Sequence, residues 1–87
     1  MHEAHLINDL MHRIEQVARD EKARRVTGVA VWLGALSHMS EEHFIDHFEQ
    51  AAAGTVAEGA RLDITVSDDA GHAHAQDLRL ESVEVEA

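Results

Sequence analysis

Val26-Thr27-Gly28-Val29-Ala30-Val31-Trp32-Leu33-Gly34 is the stretch on which the fold turns. It is short and rich in β-branched residues, with a charged run before it and a glycine at its end, which is the make-up of a strand. A two-residue period puts Val29, Val31 and Leu33 on one face and Val26, Ala30 and Trp32 largely on the other. Apolar residues on both faces point to a central strand.

On the N-terminal side, Leu6, Ile7, Leu10, Met11, Ile14, Val17 and Ala18 recur at three- and four-residue steps, predicting a helix from Glu3 to about Lys22. Its other side carries Asn8, Asp9, His12, Arg13, Gln16, Arg19 and Asp20. Glu3 near its start and Lys22, Arg24 and Arg25 near its end suit the helix dipole. On the C-terminal side, Gly34 to Met39 reads as a connection. Ser40 is a good N-cap, followed by Glu41 and Glu42 in a first turn. Phe44, Ile45, Phe48, Ala51 and Ala52 form the buried stripe of a second helix, and Gly54 is the expected terminating glycine.

Thr55 to Ala60 leads into a second strand, Arg61 to Ser67, where Leu62, Ile64 and Val66 alternate with polar residues. Ser67 to Asp77 is a polar loop. In the final segment, Leu78 to Glu86, the apolar phase shifts between Leu80 and Val83, the mark of a β-bulge. The order α-β-α-β-β predicts an α+β two-layer sandwich, with two helices packed on a three-stranded mixed sheet. The first two strands, joined through a helix, are expected parallel by a right-handed crossover, and the last two antiparallel. One domain spans residues 1–87 in this reading. Exposed strand edges in so small a sheet leave room for pairing between chains, so a homodimer is among the expected states.

With no cysteine and no proline, the chain offers neither disulfides nor thiolate metal sites. Its formal net charge of -10 repels phosphate backbones, which argues against nucleic acid and anionic membrane as partners. No apolar run approaches the roughly 20 residues of a membrane span, and no secretory leader is evident, so a cytoplasmic protein is expected. There is no recognisable Ser-His-Asp or Cys-His set and no phosphate-binding glycine loop, so the chain does not read as an enzyme.

Met1-His2-Glu3 carries the most chemistry. A free α-amine, the amide nitrogen and imidazole of His2, and the amide nitrogen of Glu3 can surround one ion with four nitrogens in a plane. That geometry suits Ni(II) or Cu(II), whereas Zn(II) prefers a tetrahedron. Cu(II) binds such a set more tightly than Ni(II), so selectivity for nickel depends on supply. The bulky second residue favours retention of Met1. Binding releases protons, so affinity should climb with pH through the amine's pKa near ~7.7–8.0.

The ordered segments resemble the HypA/HybF family of nickel metallochaperones. The likeness rests on Met1-His2-Glu3 at the head of the first helix and Ala23-Arg24-Arg25-Val26-Thr27 before the first strand. It continues through Leu33-Gly34-Ala35-Leu36-Ser37, which is similar to the family's Gly-x-Leu-Ser turn. Gly54-Thr55-Val56-Ala57-Glu58-Gly59-Ala60 and Leu80-Glu81-Ser82-Val83-Glu84-Val85-Glu86 complete it. The resemblance implies that His2 is the essential nickel ligand, with Met1 and Glu3 contributing nitrogen atoms. It also implies a HypB-type GTPase partner and delivery of nickel to a [NiFe]-hydrogenase large subunit or, in some organisms, to urease. One departure is large. Family members carry a zinc-binding domain with two Cys-x-x-Cys pairs between the second and third strands. Here that place holds only loop 67–77, so the resemblance leads to no structural zinc.

Eight histidines against seven Lys and Arg make further metal contacts worth weighing. His72-Ala73-His74 in the loop is a candidate secondary metal site or a solvated turn. His43 and His47, four apart, share one helix face within reach of a single ion, a spacing that also describes an exposed polar face. His5, one turn beyond His2, is a candidate axial ligand, and with His12 and Asp9 it lines the polar side of the first helix. His38 carries no role beyond a local hydrogen bond, and Trp32 reads as packing. The leading expectation is nickel handling by a zinc-less HypA-like chaperone. The alternative is an interaction or regulatory module that kept the fold and no longer delivers metal.

Overall fold

The computed structural model describes residues 2–87, and side chains from His5 onward. Five elements follow one another: α1 (His2–Asp20), β1 (Arg25–Leu33), α2 (Glu41–Ala52), β2 (Arg61–Val66) and β3 (Leu78–Glu86). The sheet order is β2-β1-β3, with β1 parallel to β2 and antiparallel to β3. This is the expected α+β arrangement, with the valine-rich strand in the centre.

The core lies between the sheet and the two helices. Val26, Val31, Leu33 and Phe44 are completely shielded from solvent, and Val29 and Phe48 nearly so. They join Ile7, Leu10, Met11, Ile14 and Ala18 of α1 and Ala52 of α2 in one cluster. Met39 and Ala57, from the connections flanking α2, complete it. Ile45 and Ala51 are half-buried at the margin. On β2, Leu62 and Ile64 pack against the core, whereas Val66, the last residue of this edge strand, is 53% exposed.

Val26 corrects the sequence reading. A strict two-residue period placed it opposite Val29, but both are buried in the same cluster. The register explains why. Val26 faces Val85 and Gly28 faces Glu84, leaving Thr27 without a partner. That bulge moves the phase by one residue, so Val26 and Val29 both turn toward the helices. A second shift sets Ala30 opposite Ser82 and Val31 opposite Leu80, leaving Glu81 unpaired, where the phase change between Leu80 and Val83 predicts a bulge.

The other face of the sheet carries charge. Arg61 of β2 and Glu84 of β3 both lie opposite Gly28, and their side chains meet across it at 2.9 Å. A Cβ on Gly28 would fall 2.9 Å from the guanidinium, so the glycine leaves the space in which the pair closes. The hydrogen bond to Glu84, then the charges of Glu84 and Asp63, hold the Arg61 pKa above its ordinary value.

Ser40 caps α2 by accepting the His43 amide through its hydroxyl at 3.1 Å. At the far end Ala53 N–H donates to Glu49 O, and Gly54 takes φ +79°, a conformation that favours glycine. A short turn joins α1 to β1, and α2 must return along β1 for β2 to run parallel to it. Both helices therefore run antiparallel to β1. The starts of α1 and α2, the connection 34–40 and the loop 67–77 share the end of the sheet where β1 finishes. No helix among the described residues is long and apolar enough to cross a membrane.

Candidate metal centre

At this end of the sheet, Gly34 lets two backbone segments touch. A Cβ there would come within 2.2 Å of the Ala75 carbonyl oxygen, far inside contact distance. The close approach aligns two hydrogen bonds: Gly34 N–H donates to Asp77 O at 2.9 Å, and Leu36 N–H to Ala75 O at 2.7 Å. Ala75 is thereby buried. The polar loop is thus clamped to the Gly-Ala-Leu-Ser turn through main-chain atoms. Ser37 in that turn is buried, and its hydroxyl has no hydrogen-bond partner among the described residues.

Within the clamped loop the two histidines have different roles. His74 Nδ1 lies 2.8 Å from an Asp77 carboxylate oxygen. A carboxylate only accepts, so Nδ1 carries the proton and the lone pair of a neutral ring sits on Nε2. A metal-binding imidazole is oriented in this way by its neighbours. His72 Nδ1 instead accepts the His74 amide N–H at 2.9 Å. Its neutral ring then holds its proton on Nε2 and has no second lone pair to offer. The His72 ring rests against Trp32, with centroids 4.9 Å apart, beside a shallow depression of about 390 Å³ lined also by Arg79, Leu80 and Glu81. The pair is brought together, with ring centroids 5.9 Å apart, but in this arrangement only His74 presents a donor atom. Asp77 marked only the loop's end in the sequence; its part in orienting His74 follows from a loop geometry that no local pattern announces.

On α2, His43 is exposed and His47 half-buried, with ring centroids 5.4 Å apart and planes tilted by 50°. His5, His12 and Asp9 are exposed on α1. His38 is exposed at φ +60°, a backbone conformation that histidine tolerates better than most side chains. Among the described residues, no three His, Asp or Glu side chains gather closely enough to hold an ion. Met1 and the side chains of His2 and Glu3, the leading candidates, lie outside the described residues.

Residues 1–75 match the family described as "Hydrogenase/urease nickel incorporation, metallochaperone, hypA". The chain belongs to the HypA family. The hydrogenase maturation factor HypA of Methylocella silvestris is 39% identical over 66 residues, covering 76% of this chain and 58% of that protein. The HypA of Dechloromonas aromatica is 37% identical over 71 residues, covering 82% and 63%. The chain thus spans about three-fifths of the length of these curated relatives. The solution structure of the Ni metallochaperone HypA from Helicobacter pylori shares the fold, with a TM-score of 0.79 at 22% identity over 98% of this chain and 97% of that one. A second HypA solution structure gives 0.75 at 23%, over 98% and 96%. The HypA sequence match ends inside the loop clamped by Gly34, while the likeness in fold continues through nearly all of the chain.

Proposed function

We propose that this HypA-family chain binds nickel through Met1-His2-Glu3 and acts in nickel insertion into [NiFe]-hydrogenase or urease. The supporting observation is the start of α1 at His2. The first amides of a helix have no intrahelical acceptor, so the nitrogens of His2 and Glu3 can be given to an ion without breaking the helix. Charge supports the same reading. Ni(II) bound by two deprotonated amides, a neutral amine and a neutral imidazole has no net charge, so the positive end of the helix dipole does not oppose it.

In this proposal residues 1–87 form one nickel-binding domain without resident zinc. Loop 67–77, held by backbone bonds to Gly34 and Leu36, closes the place where the family's zinc domain stands. His74, oriented by Asp77, is a secondary donor there, and His72 supports it through its hydrogen bond. Nickel is cargo, and no catalytic step is assigned to the chain. The partners are a HypB-type GTPase and the large subunit of the hydrogenase, and the setting is the cytoplasm.

Nickel titration of the protein with a free Met1 amine, beside a His2→Ala variant, tests the proposal. The expected result is loss of the tightest nickel equivalent in the variant, with the fold unchanged. An equal affinity in both proteins overturns the N-terminal site.

A further inference from the structure

The three strands carry three arginines, and two of them are paired. Arg25 meets Glu86 at 3.7 Å, and Arg61 meets Glu84 at 2.9 Å and Asp63 at 3.5 Å. Arg79 has no ion-pair partner among the described residues. It stands opposite Trp32 in the β1–β3 register, so both side chains share the sheet face turned away from the helices. We propose that Trp32, Arg79 and His72 form a binding site for a small monocarboxylate with a flat apolar body. The inference rests on the open face of the sheet and does not depend on the nickel reading.

Each part of such a molecule has a counterpart. Trp32 is half-buried and stands outside the core cluster. The His72 ring lies against it, with centroids 4.9 Å apart and planes tilted by 48°. A flat ring extends this stack at low cost, because aromatic rings favour offset and tilted contacts at roughly 4.5–7 Å. The unpaired guanidinium of Arg79 presents a fork of donors that matches a carboxylate in a bidentate pair. His72 adds a further donor. Its Nδ1 accepts the His74 amide at 2.9 Å, so the neutral ring carries its proton on Nε2, the nitrogen farther from its own backbone.

Size and charge narrow the occupant. The depression measures about 390 Å³, within the roughly 300–1,000 Å³ of small-molecule sites. Its five lining residues are far fewer than the roughly 20–30 a side of a stable protein interface. Glu81 lines the same depression and, as the bulged residue, has no cross-strand partner. Its carboxylate and the formal net charge of -10 oppose a second negative charge on the ligand. A phosphate dianion is therefore disfavoured, whereas a monocarboxylate neutralises its one charge on Arg79. The support is fixed as well. The loop bearing His72 is clamped by the backbone bonds of Gly34 and Leu36, and Trp32 and Arg79 sit on paired strands.

The indole N–H of Trp32, the lone tryptophan, gives one resonance that reports on the depression. The experiment follows it in the full chain, without metal, while benzoate is added at constant pH and ionic strength. Benzamidine, which places a cation on the same ring, and inorganic phosphate, which lacks the ring, are added in parallel. The expected result is a saturable shift with benzoate, with a midpoint on the order of 1 mM, and little movement with the other two. Arg79→Gln should weaken benzoate binding by about tenfold or more, since hydrogen bonds to a charged group are the stronger kind. Arg79→Lys should recover part of the loss, because it restores the charge without the fork. Arg24→Gln, at the other end of the sheet, changes the net charge equally and should leave the midpoint unchanged. The comparison of probes uses the unaltered chain, so it stands even where a variant folds poorly. An indole resonance that benzoate does not move overturns the proposal. So does benzamidine or phosphate acting as strongly as benzoate, or equal weakening by Arg79→Gln and Arg24→Gln. None of these readings involves nickel, so this site and the N-terminal one fail independently.

Discussion

Beneath α1 and α2, β1 presents Val26, Val29, Val31 and Leu33 to Phe44, Phe48 and Ile14 in a cluster almost closed to water. At the end of the same strand, main-chain atoms of Gly34 and Leu36 hold a polar loop, and, among the described residues, the histidines there and on the helices stay at or near the surface. The first region draws its stability from apolar area removed from water, the second from backbone hydrogen bonds that a missing side chain allows. The contrast separates fold from chemistry. The described histidines sit where substitution costs the core little.

Phe44→Ala should show the largest effect, because it empties the most central position of the cluster. A loss of about 3–5 kcal/mol is expected from urea unfolding. A change under 1 kcal/mol would mean that the helix-covered face does not carry the fold. Gly34→Ala should come next, at about 1–3 kcal/mol, because the added methyl must push the Ala75 backbone away. The same variant should alter the emission of Trp32, the lone tryptophan, through its contact with His72. Destabilisation with unchanged emission would show that the loop is not held through Gly34. Glu84→Gln should have the smallest effect. Both partners of the Arg61–Glu84 pair are more than half exposed, and such pairs contribute little once water and salt screen them. The urea midpoint is expected to stay within the scatter of the measurement; a clear downward shift would give the open face a structural weight this account denies it.

Much of this contrast was legible in the sequence. The central strand followed from β-branched residues bounded by charge and glycine, and the bulge at Glu81 from the phase change between Leu80 and Val83. The bulge at Thr27 was hidden because Gly28 has no side chain to mark which face it occupies. Met39 and Ala57 entered the core from connections, where no period identifies a buried position. At the candidate metal centre, the Met1-His2-Glu3 proposal comes from local chemistry that a sequence states outright, and the family match covers those residues. The unequal roles of His72 and His74 were not readable. They depend on which hydrogen bond each Nδ1 makes, and that is settled only when the loop docks against Gly34.

The most direct test of the central claim is nickel affinity measured side by side in the chain with a free Met1 amine and in its His2→Ala variant, at one pH and with matched helicity. The account predicts that the native chain binds one equivalent tightly, with sharp, diamagnetic resonances, and that the variant loses it. Equal tight binding by both proteins would contradict it.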